Sequence, residues 1–343
     1  MKNFICSLIV VAGTILTVAT QASVMLNGAG ATCPYPLYDK WFSDYRKVDP
    51  ETQINYQSIG SGGGIRQFLE KTVDFGATDA PMTKDQMDKA TSPVVHIPTV
   101  LGAVVVTYNL ADVKKGLKLT PELIADIFLG KLTKWNDPKI KTLNPSAKLA
   151  DESIIVVHRS DGSGTSAIFT DYLSKVSSEW QQKVGSGTSV NWPIGLGGKG
   201  NEGVSGQVKQ KKGSIGYVEL IYAEKNDLPY AAVKNESGSF VLPSLKSVTA
   251  AAQGSLASMP ADFRTSITNA QGKESYPISG FTYLLVYQSM PNAEKAAKLV
   301  KFLKWAMRDG QKAAPSLSYS PLPEELVKKV EAKIDSIETK KVN

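Results

Sequence analysis

Four short loops of small residues in this chain of 343 residues share one design, in which a strand ends, a loop turns and a helix begins. They comprise residues 28–32, 60–62, 78–80 and 161–165. A helix that begins at such a loop has backbone N–H groups without partners and carries partial positive charge. Glycine lets a ligand approach the backbone, and serine and threonine add hydroxyl donors. Each loop could therefore bind an oxyanion, although a single one is more often an ordinary turn.

Three charged residues could complete such a site. Arg159 lies two residues after the predicted strand 154–157 and just before the fullest loop, and a guanidinium fork matches a tetrahedral oxyanion. Asp161, two residues later, could hold that fork in place. The alternatives are a surface arginine for Arg159, a helix cap for Asp161, and a turn-capping carboxylate before Pro81 for Asp79. From these residues alone, the alternatives stay open.

Other chemistry has little support in the sequence. Residues 197–200 lack the upstream glycine of a P-loop, and the loop at Gly60 lacks the spacing of a dinucleotide fingerprint. Ser163 would need a base to act as a nucleophile, and His158 should point away from Arg159 on a strand. The chain has 2 His and 2 Cys. We therefore expect no catalytic residue, no metal site and no cofactor.

The N-terminus has the pattern of an export signal. Lys2 precedes the uncharged apolar run 4–18, and small residues occupy 19–23. We predict a signal peptide that is cleaved after Ala22, which places the protein in the periplasm. The alternative, a membrane anchor, is disfavoured because the run is short for a span of roughly 20 residues. Cleavage would leave Cys33 as the remaining cysteine, so we expect no internal disulfide.

Alternating apolar runs and helical patterns indicate an α/β protein. Strands are predicted at 54–59, 73–77, 101–108, 154–157, 214–218 and 281–287. The formal net charge is +7, with 39 Lys and Arg against 32 Asp and Glu. The lysines are spread over predicted helix faces, and no basic block alternates with aromatic residues. We therefore interpret the excess charge as solvated surface and expect no nucleic-acid partner.

Six segments taken together resemble the periplasmic phosphate-binding proteins of bacterial phosphate ABC transporters. They run in order through nearly the whole chain after the predicted signal peptide. The segments are GAGAT at 28–32, GSGGG at 60–64, VDFGATDAP at 73–81, GKLTKWNDP at 130–138, RSDGSGTS at 159–166 and WPIGLGGKGN at 192–201.

The resemblance implies a two-lobed periplasmic-binding-protein fold of type II, with two mixed sheets flanked by helices and joined by two crossover strands. Lobe I would comprise 23–101 and 275–343, and lobe II would comprise 102–274, after a signal peptide at 1–22. The hinge would lie near 101–104 and near 275–280.

The resemblance also implies a phosphate site between the lobes. Its ligand-binding residues would be Thr32, Cys33, Ser61 and Asp79 from lobe I and Arg159, Ser163, Gly164 and Thr165 from lobe II, with Asp161 supporting Arg159. Cys33 departs from the family, in which this position is usually aromatic. Since the position would contribute its backbone N–H, binding need not be lost, but the thiol could alter cleft closure or be oxidised.

The implied function is high-affinity binding of inorganic phosphate and its delivery to the transmembrane permease subunits of an ABC importer. We expect a monomer without enzymatic activity. One alternative is a secreted phosphatase, and another is a receptor for sulfate, molybdate or tungstate. Asp79 argues against the second alternative, because a carboxylate can accept the proton that phosphate retains near neutral pH and that those anions lack.

Overall fold

The computed structural model describes residues 23–339. The predicted signal peptide and its cleavage point lie outside this range. Within it, no helix combines the length and the hydropathy that crossing a bilayer requires.

Strands and helices alternate along most of the described chain, as predicted. The strands are β1 (Val24–Gly30), β2 (Thr52–Ser58), β3 (Phe75–Thr78), β4 (Val94–Tyr108), β5 (Lys118–Leu119), β6 (Ile155–Arg159), β7 (Leu196–Gly198), β8 (Ser214–Glu219), β9 (Ala232–Lys234), β10 (Phe240–Val241) and β11 (Ser279–Tyr287). The helices are α1 (Tyr35–Val48), α2 (Ser61–Leu69), α3 (Lys84–Met87), α4 (Pro121–Phe128), α5 (Pro138–Leu143), α6 (Gly164–Val176), α7 (Ser178–Lys183), α8 (Gly200–Gln210), α9 (Leu220–Lys225), α10 (Leu245–Gln253), α11 (Ala293–Arg308) and α12 (Glu324–Ile334). Short 3-10 turns lie at Leu256–Ser258, Gly310–Ala313 and Pro315–Leu317.

The long strand β4 belongs to two mixed half-sheets. Its residues Val94–Ala103 pair with β11, and residues Val104–Tyr108 pair with β8, both antiparallel. The resulting order is β2-β1-β3-β11-β4-β8-β6-β7, and β10, β9 and β5 form a separate small sheet. We call β2, β1, β3, β11 and the first part of β4 the first half-sheet, and the remainder the second. The two mixed sheets expected from the resemblance are thus present, but they share one continuous strand.

The predicted strand 101–108 is the second part of β4. The first part was not predicted, because His96, Pro98 and Thr99 interrupt its apolar pattern. Proline cannot donate a ladder hydrogen bond, and the register of β4 against β11 shifts between Thr282 and Tyr283, where Pro98 pairs with Tyr283. The irregularity therefore lies where the missing N–H requires it.

Helix caps confirm two of the predicted helix starts. The Thr83 hydroxyl accepts a hydrogen bond from the Gln86 backbone, and the Gln86 side chain accepts one from Thr83, as a capping box requires. The Thr120 hydroxyl accepts a hydrogen bond from the Leu123 backbone N–H. Pro121 follows Thr120 as the first residue of α4.

Glycines let α2 lie directly on the ends of the first half-sheet. A Cβ atom at Gly64 would lie 2.4 Å from the Gly30 Cα and 2.9 Å from the Ala77 carbonyl oxygen. A side chain at this position would push the helix away. The close contact places the first residue of α2, Ser61, at the end of β3 beside Asp79, whose backbone N–H donates to the Ser61 hydroxyl at 3.2 Å.

Candidate functional site

Loops from the two half-sheets meet in a cleft at the carboxyl ends of β1, β3 and β6. The Gly62 N–H donates to the Gly162 carbonyl at 2.9 Å across this cleft. A Cβ atom at Gly164 would lie 2.4 Å from the Ser61 Oγ and 2.5 Å from the Asp79 Oδ2. The predicted loops of both halves are therefore in contact, and the cleft is closed.

Arg159 is buried, and each of its three guanidinium nitrogens donates a hydrogen bond. Its Nε and Nη2 donate to the two Asp161 oxygens at 2.8 and 2.6 Å, and its Nη1 donates to the Thr165 hydroxyl at 3.2 Å. Burial alone would lower the pKa of Arg159, but the hydrogen bonds and the charge of Asp161 raise that pKa above its ordinary value. The site therefore contains a fixed buried cation.

Asp161 also connects Arg159 to α8. Its Oδ1 accepts the Gly200 N–H at 3.0 Å. Burial favours the neutral acid, but Arg159 and this N–H hold the pKa of Asp161 below its usual range. The carboxylate is thus ionised and occupied, so it can orient Arg159 without presenting a free acceptor to the cleft.

Asp79, in contrast to Asp161, has a carboxylate oxygen that no donor occupies among the described residues. It is 3% exposed, its Oδ1 accepts the Thr282 hydroxyl at 2.9 Å, and its Oδ2 has no hydrogen-bond partner among the described residues. Burial raises the pKa of Asp79 to about 7, against the lowering effects of Thr282 and Arg159. A buried unpaired carboxylate oxygen is costly, so Oδ2 is suited to a ligand that brings a proton donor.

Helix N-termini supply further donors from both halves. Ser61 begins α2, and Gly164 begins α6 with Ser163 as its N-cap. The Ser163 hydroxyl accepts the Ser166 N–H at 3.0 Å, which leaves its own proton to donate. First-turn N–H groups that no intrahelical bond uses, together with the helix dipoles, favour an anion in the space that these helices face.

Thr32 and Cys33 follow β1 and come from the first half. Both are buried, and the Cys33 carbonyl accepts the Tyr319 hydroxyl at 2.6 Å. Burial raises the pKa of the Cys33 thiol, and the nearby carboxylates of Asp79 and Glu219 raise it further. The reactive thiolate is therefore disfavoured, and oxidation of Cys33 in the closed cleft is disfavoured with it.

Two polar residues that connect the site were not predicted from the sequence. The Asn201 side chain donates to the Thr32 hydroxyl at 2.8 Å and to the Thr165 hydroxyl at 3.2 Å. Thr282 holds Asp79, as described above. Asn201 ends the WPIGLGGKGN segment and follows Gly200, whose φ of 70° favours glycine. That turn was the available signal for Asn201, whereas Thr282 lies within an apolar strand that offered none.

His158 does not reach the cleft. Its Nδ1 lies 3.0 Å from the Arg159 carbonyl oxygen, and its ring stacks on Trp192 at a centroid distance of 4.9 Å. Within residues 23–339, no group of three or more His, Cys, Asp or Glu side chains could hold a metal ion. The described residues at the cleft are thus suited to holding an anion by donors and one acceptor.

Comparisons with known proteins agree with this arrangement. The family model of the PBP superfamily domain matches residues 17–309. The chain is 49% identical over 311 residues to the phosphate-binding protein PstS of Xylella fastidiosa, covering 90% of this chain and 85% of that protein. It is 45% identical over 322 residues to the phosphate-binding protein PstS of Haemophilus influenzae, covering 93% and 96%.

Solved structures share the fold at lower identity. A high-affinity periplasmic phosphate-binding protein, PfluDING, solved with phosphate bound, has a TM-score of 0.71 at 21% identity, covering 90% of this chain and 93% of that one. A phosphate-binding protein from Stenotrophomonas maltophilia has a TM-score of 0.65 at 21% identity, covering 90% and 94%. The predicted periplasmic-binding-protein fold is confirmed, and by sequence identity over most of its length the chain belongs to the PstS family of solute-binding proteins within the PBP superfamily.

Proposed function

We propose that this chain binds inorganic phosphate in the closed cleft and passes it to a membrane importer. The observation that carries the proposal is the buried Asp79 Oδ2, an acceptor without a partner among the described residues, opposite the start of α6. Around it the cleft offers the Arg159 cation and hydroxyl and helix N–H donors. Phosphate near neutral pH fits this set, because it has oxygens that accept and a proton that it can donate.

The ligand set that we propose is the one expected from the resemblance. It comprises Thr32, the backbone of Cys33, Ser61, Asp79, Arg159, Ser163, Gly164 and Thr165, with Asp161 in support. The burial of these side chains and the contacts between Gly164, Ser61 and Asp79 support the proposal.

Asp79 would set the preference for phosphate over sulfate. Sulfate carries no proton near neutral pH, so its oxygens would face a carboxylate oxygen across a dry cleft. Leaving such buried polar groups unpaired can produce discrimination of about 10⁴ to 10⁵. The Thr282 hydroxyl already occupies Oδ1, so the anion would meet Oδ2 alone.

We further propose that lobe I comprises 23–101 and 275–339 and that lobe II comprises 102–274. The change of partner along β4 between Ala103 and Val104 supports this boundary. The Val104 N–H donates to the Ile278 carbonyl at 2.9 Å, so the two proposed crossings lie side by side. Opening would then bend the backbone at 101–104 and at 275–280, and ligand contacts from both lobes would stabilise the closed form.

Membership in the family supports a periplasmic location and delivery to the permease subunits of a phosphate ABC transporter. It also supports capture without chemistry. Hydrolysis of phosphate esters has no specific support in the cleft, since the Ser163 hydroxyl caps α6 and the His158 ring packs on Trp192.

Isothermal titration calorimetry with phosphate and with sulfate tests the proposal. We expect tight binding of phosphate and weak competition by sulfate at neutral pH. Equal affinity for the two anions would remove the role of Asp79, and absence of phosphate binding by protein freed of bound ligand would refute the function itself.

Replacing Gly164 by alanine should weaken phosphate binding about tenfold to a hundredfold. The new Cβ would lie 2.4 Å from the Ser61 Oγ and so oppose closure, and overpacking of this kind costs about 1–3 kcal/mol. Calorimetry measures the change. Gly206→Ala on α8 is the control, since nothing lies within 4 Å of its added methyl group. Equal affinities of the two variants would show that closure does not bring Gly164 to Ser61.

A further inference from the structure

We propose that Asn201 sets the direction of the hydrogen bonds at the anion site. On this view, which rests on the proposed function, it makes the hydroxyls of Thr32 and Thr165 donors to phosphate. Asp79 then remains the acceptor for a proton on the ligand. Asn201 is a positioning residue, because it acts through the two threonines.

The orientation of the Asn201 amide follows from its fixed partner. Asn201 is fully buried in the first turn of α8, and its Oδ1 lies 2.9 Å from the Glu219 backbone nitrogen. A backbone N–H can only donate, so the atom facing it must be the amide oxygen. The other end of the amide, the NH₂ group, therefore points at the threonine hydroxyls.

That NH₂ group bridges the two halves of the molecule. It donates to the Thr32 Oγ1 at 2.8 Å and to the Thr165 Oγ1 at 3.2 Å. Thr32 also lies 3.3 Å from the Asn201 backbone N–H, and Thr165 accepts from the Arg159 Nη1 at 3.2 Å. Each hydroxyl oxygen thus faces two N–H donors.

A hydroxyl has two lone pairs and one proton to donate. With both lone pairs facing N–H groups, Thr32 and Thr165 retain their protons, and neither hydroxyl donates to another group in residues 23–339. Each can offer that proton to the anion. Neither can readily accept a proton from it, because the acceptor sites are occupied.

At Asp79 the hydrogen bonds have the opposite direction, because its carboxylate oxygens accept. The Thr282 hydroxyl donates to its Oδ1, and Oδ2 remains available to accept. The arrangement therefore provides one place for a proton on the ligand. It favours phosphate that carries one proton over phosphate that carries two, and Asn201 excludes the second proton by keeping the threonines as donors.

Two substitutions distinguish the effect of the hydrogen-bond direction from the effect of the side-chain volume of Asn201. Asn201→Ala frees the threonine oxygens to accept, so phosphate affinity at pH 8 should fall roughly tenfold, as expected for a lost buried hydrogen-bond network. Because the freed oxygens can accept a second proton, the loss should be smaller at pH 5. Asn201→Asp has nearly the same shape but accepts hydrogen bonds, so it should turn the hydroxyls away from the anion and weaken binding more than alanine does.

The experiment is calorimetric titration of purified, ligand-free protein with inorganic phosphate at pH 5 and pH 8. Asn144→Ala is the matched control. Asn144 is another buried asparagine, bonded to the Lys118 and Ile140 carbonyl oxygens and the Lys118 N–H, so its loss should lower thermal stability and leave phosphate affinity unchanged.

Asp79, whose pKa burial raises to about 7, also gains a proton between pH 8 and pH 5, in the wild type and in the variants alike. The test is therefore the comparison: the ratio of the dissociation constants at pH 5 and pH 8 should be larger for the wild type than for Asn201→Ala. Equal ratios, or an Asn201→Asp variant that binds as the wild type does, would overturn the proposal. If the variants do not fold, the wild type still tests the proposal. A wild-type affinity for phosphate that is the same at pH 5 as at pH 8, or higher, also overturns it. A wild type that binds no phosphate at either pH refutes the proposed function, whereas binding with indifferent variants refutes only the role of Asn201.

Discussion

Replacing Arg159 by alanine should weaken phosphate binding by about 2–5 kcal/mol, the range found when one partner of a buried charge pair is removed. Arg159 is 3% exposed and is held by Asp161 and Thr165, so water screens its charge little. The variant would also leave the Asp161 carboxylate without its main partner. Calorimetric titration with phosphate measures the loss.

Two further variants make this result specific. Arg159→Lys keeps the charge but cannot reproduce the bonds to both Asp161 oxygens, so its affinity should lie between those of the wild type and the alanine variant. Arg308→Ala removes an exposed arginine that pairs with Glu331 and Glu324 far from the cleft, and it should bind phosphate normally. An unchanged dissociation constant for Arg159→Ala would place Arg159 outside the site.

Replacing Asp79 by asparagine should largely abolish the preference for phosphate over sulfate, a change of about 10⁴ in the affinity ratio if the carboxylate sets the preference. An amide can turn its NH₂ group toward the anion, so an oxygen without a proton no longer meets a repelling acceptor. Competition titrations of both anions measure the ratio. A preference that survives the substitution would show that another group senses the proton.

The same variant should change how the stability of the ligand-free protein depends on pH. Burial raises the pKa of Asp79 to about 7, from about 3.9 in an unfolded chain. The folded state therefore binds this proton more tightly. The stabilisation is complete below pH 4 and is lost as the pH rises through 7.

Thermal unfolding of wild type and Asp79→Asn at pH 5 and pH 8 measures this effect. The wild type should lose more stability than the variant between the two pH values. Comparing the two proteins cancels the contribution of the other carboxylates. An identical loss in both would show that Asp79 is not desolvated when the cleft is empty.

The expected site residues could be proposed from the sequence because most of them lie at the end of a strand or at the start of a helix. Parallel strands bring such loops to one edge of a sheet, so local motifs at 28–32, 60–62 and 161–165 also indicate a common location. Asn201 and Thr282 act through contacts with residues that are distant in the chain. Thr282 bonds Asp79 across 203 positions, and no local pattern encodes such a pairing.

The sequence predicts the alternation of strands and helices, but it does not predict that the two half-sheets share the strand β4. The apolar run 101–108 has the composition of a buried strand, whereas Pro98 and His96 hide the continuation of the strand toward Val94. Pro98 is accommodated by the shift in register between β4 and β11, and His96 is held by the hydrogen bond that its Nε2 accepts from the Met82 N–H at 3.1 Å. Both depend on tertiary structure.

The insertion of β11 between β3 and β4 has a consequence for biogenesis. Residues 279–287 must arrive before residues 75–78 and the start of β4 can complete their ladder. A ribosome delivers the chain from its N-terminus, so the central layer stays incomplete until more than four-fifths of the polypeptide has emerged. Pairing over such long separations is slow, so the central layer of this protein is completed late, only after the C-terminal part of the chain has been made.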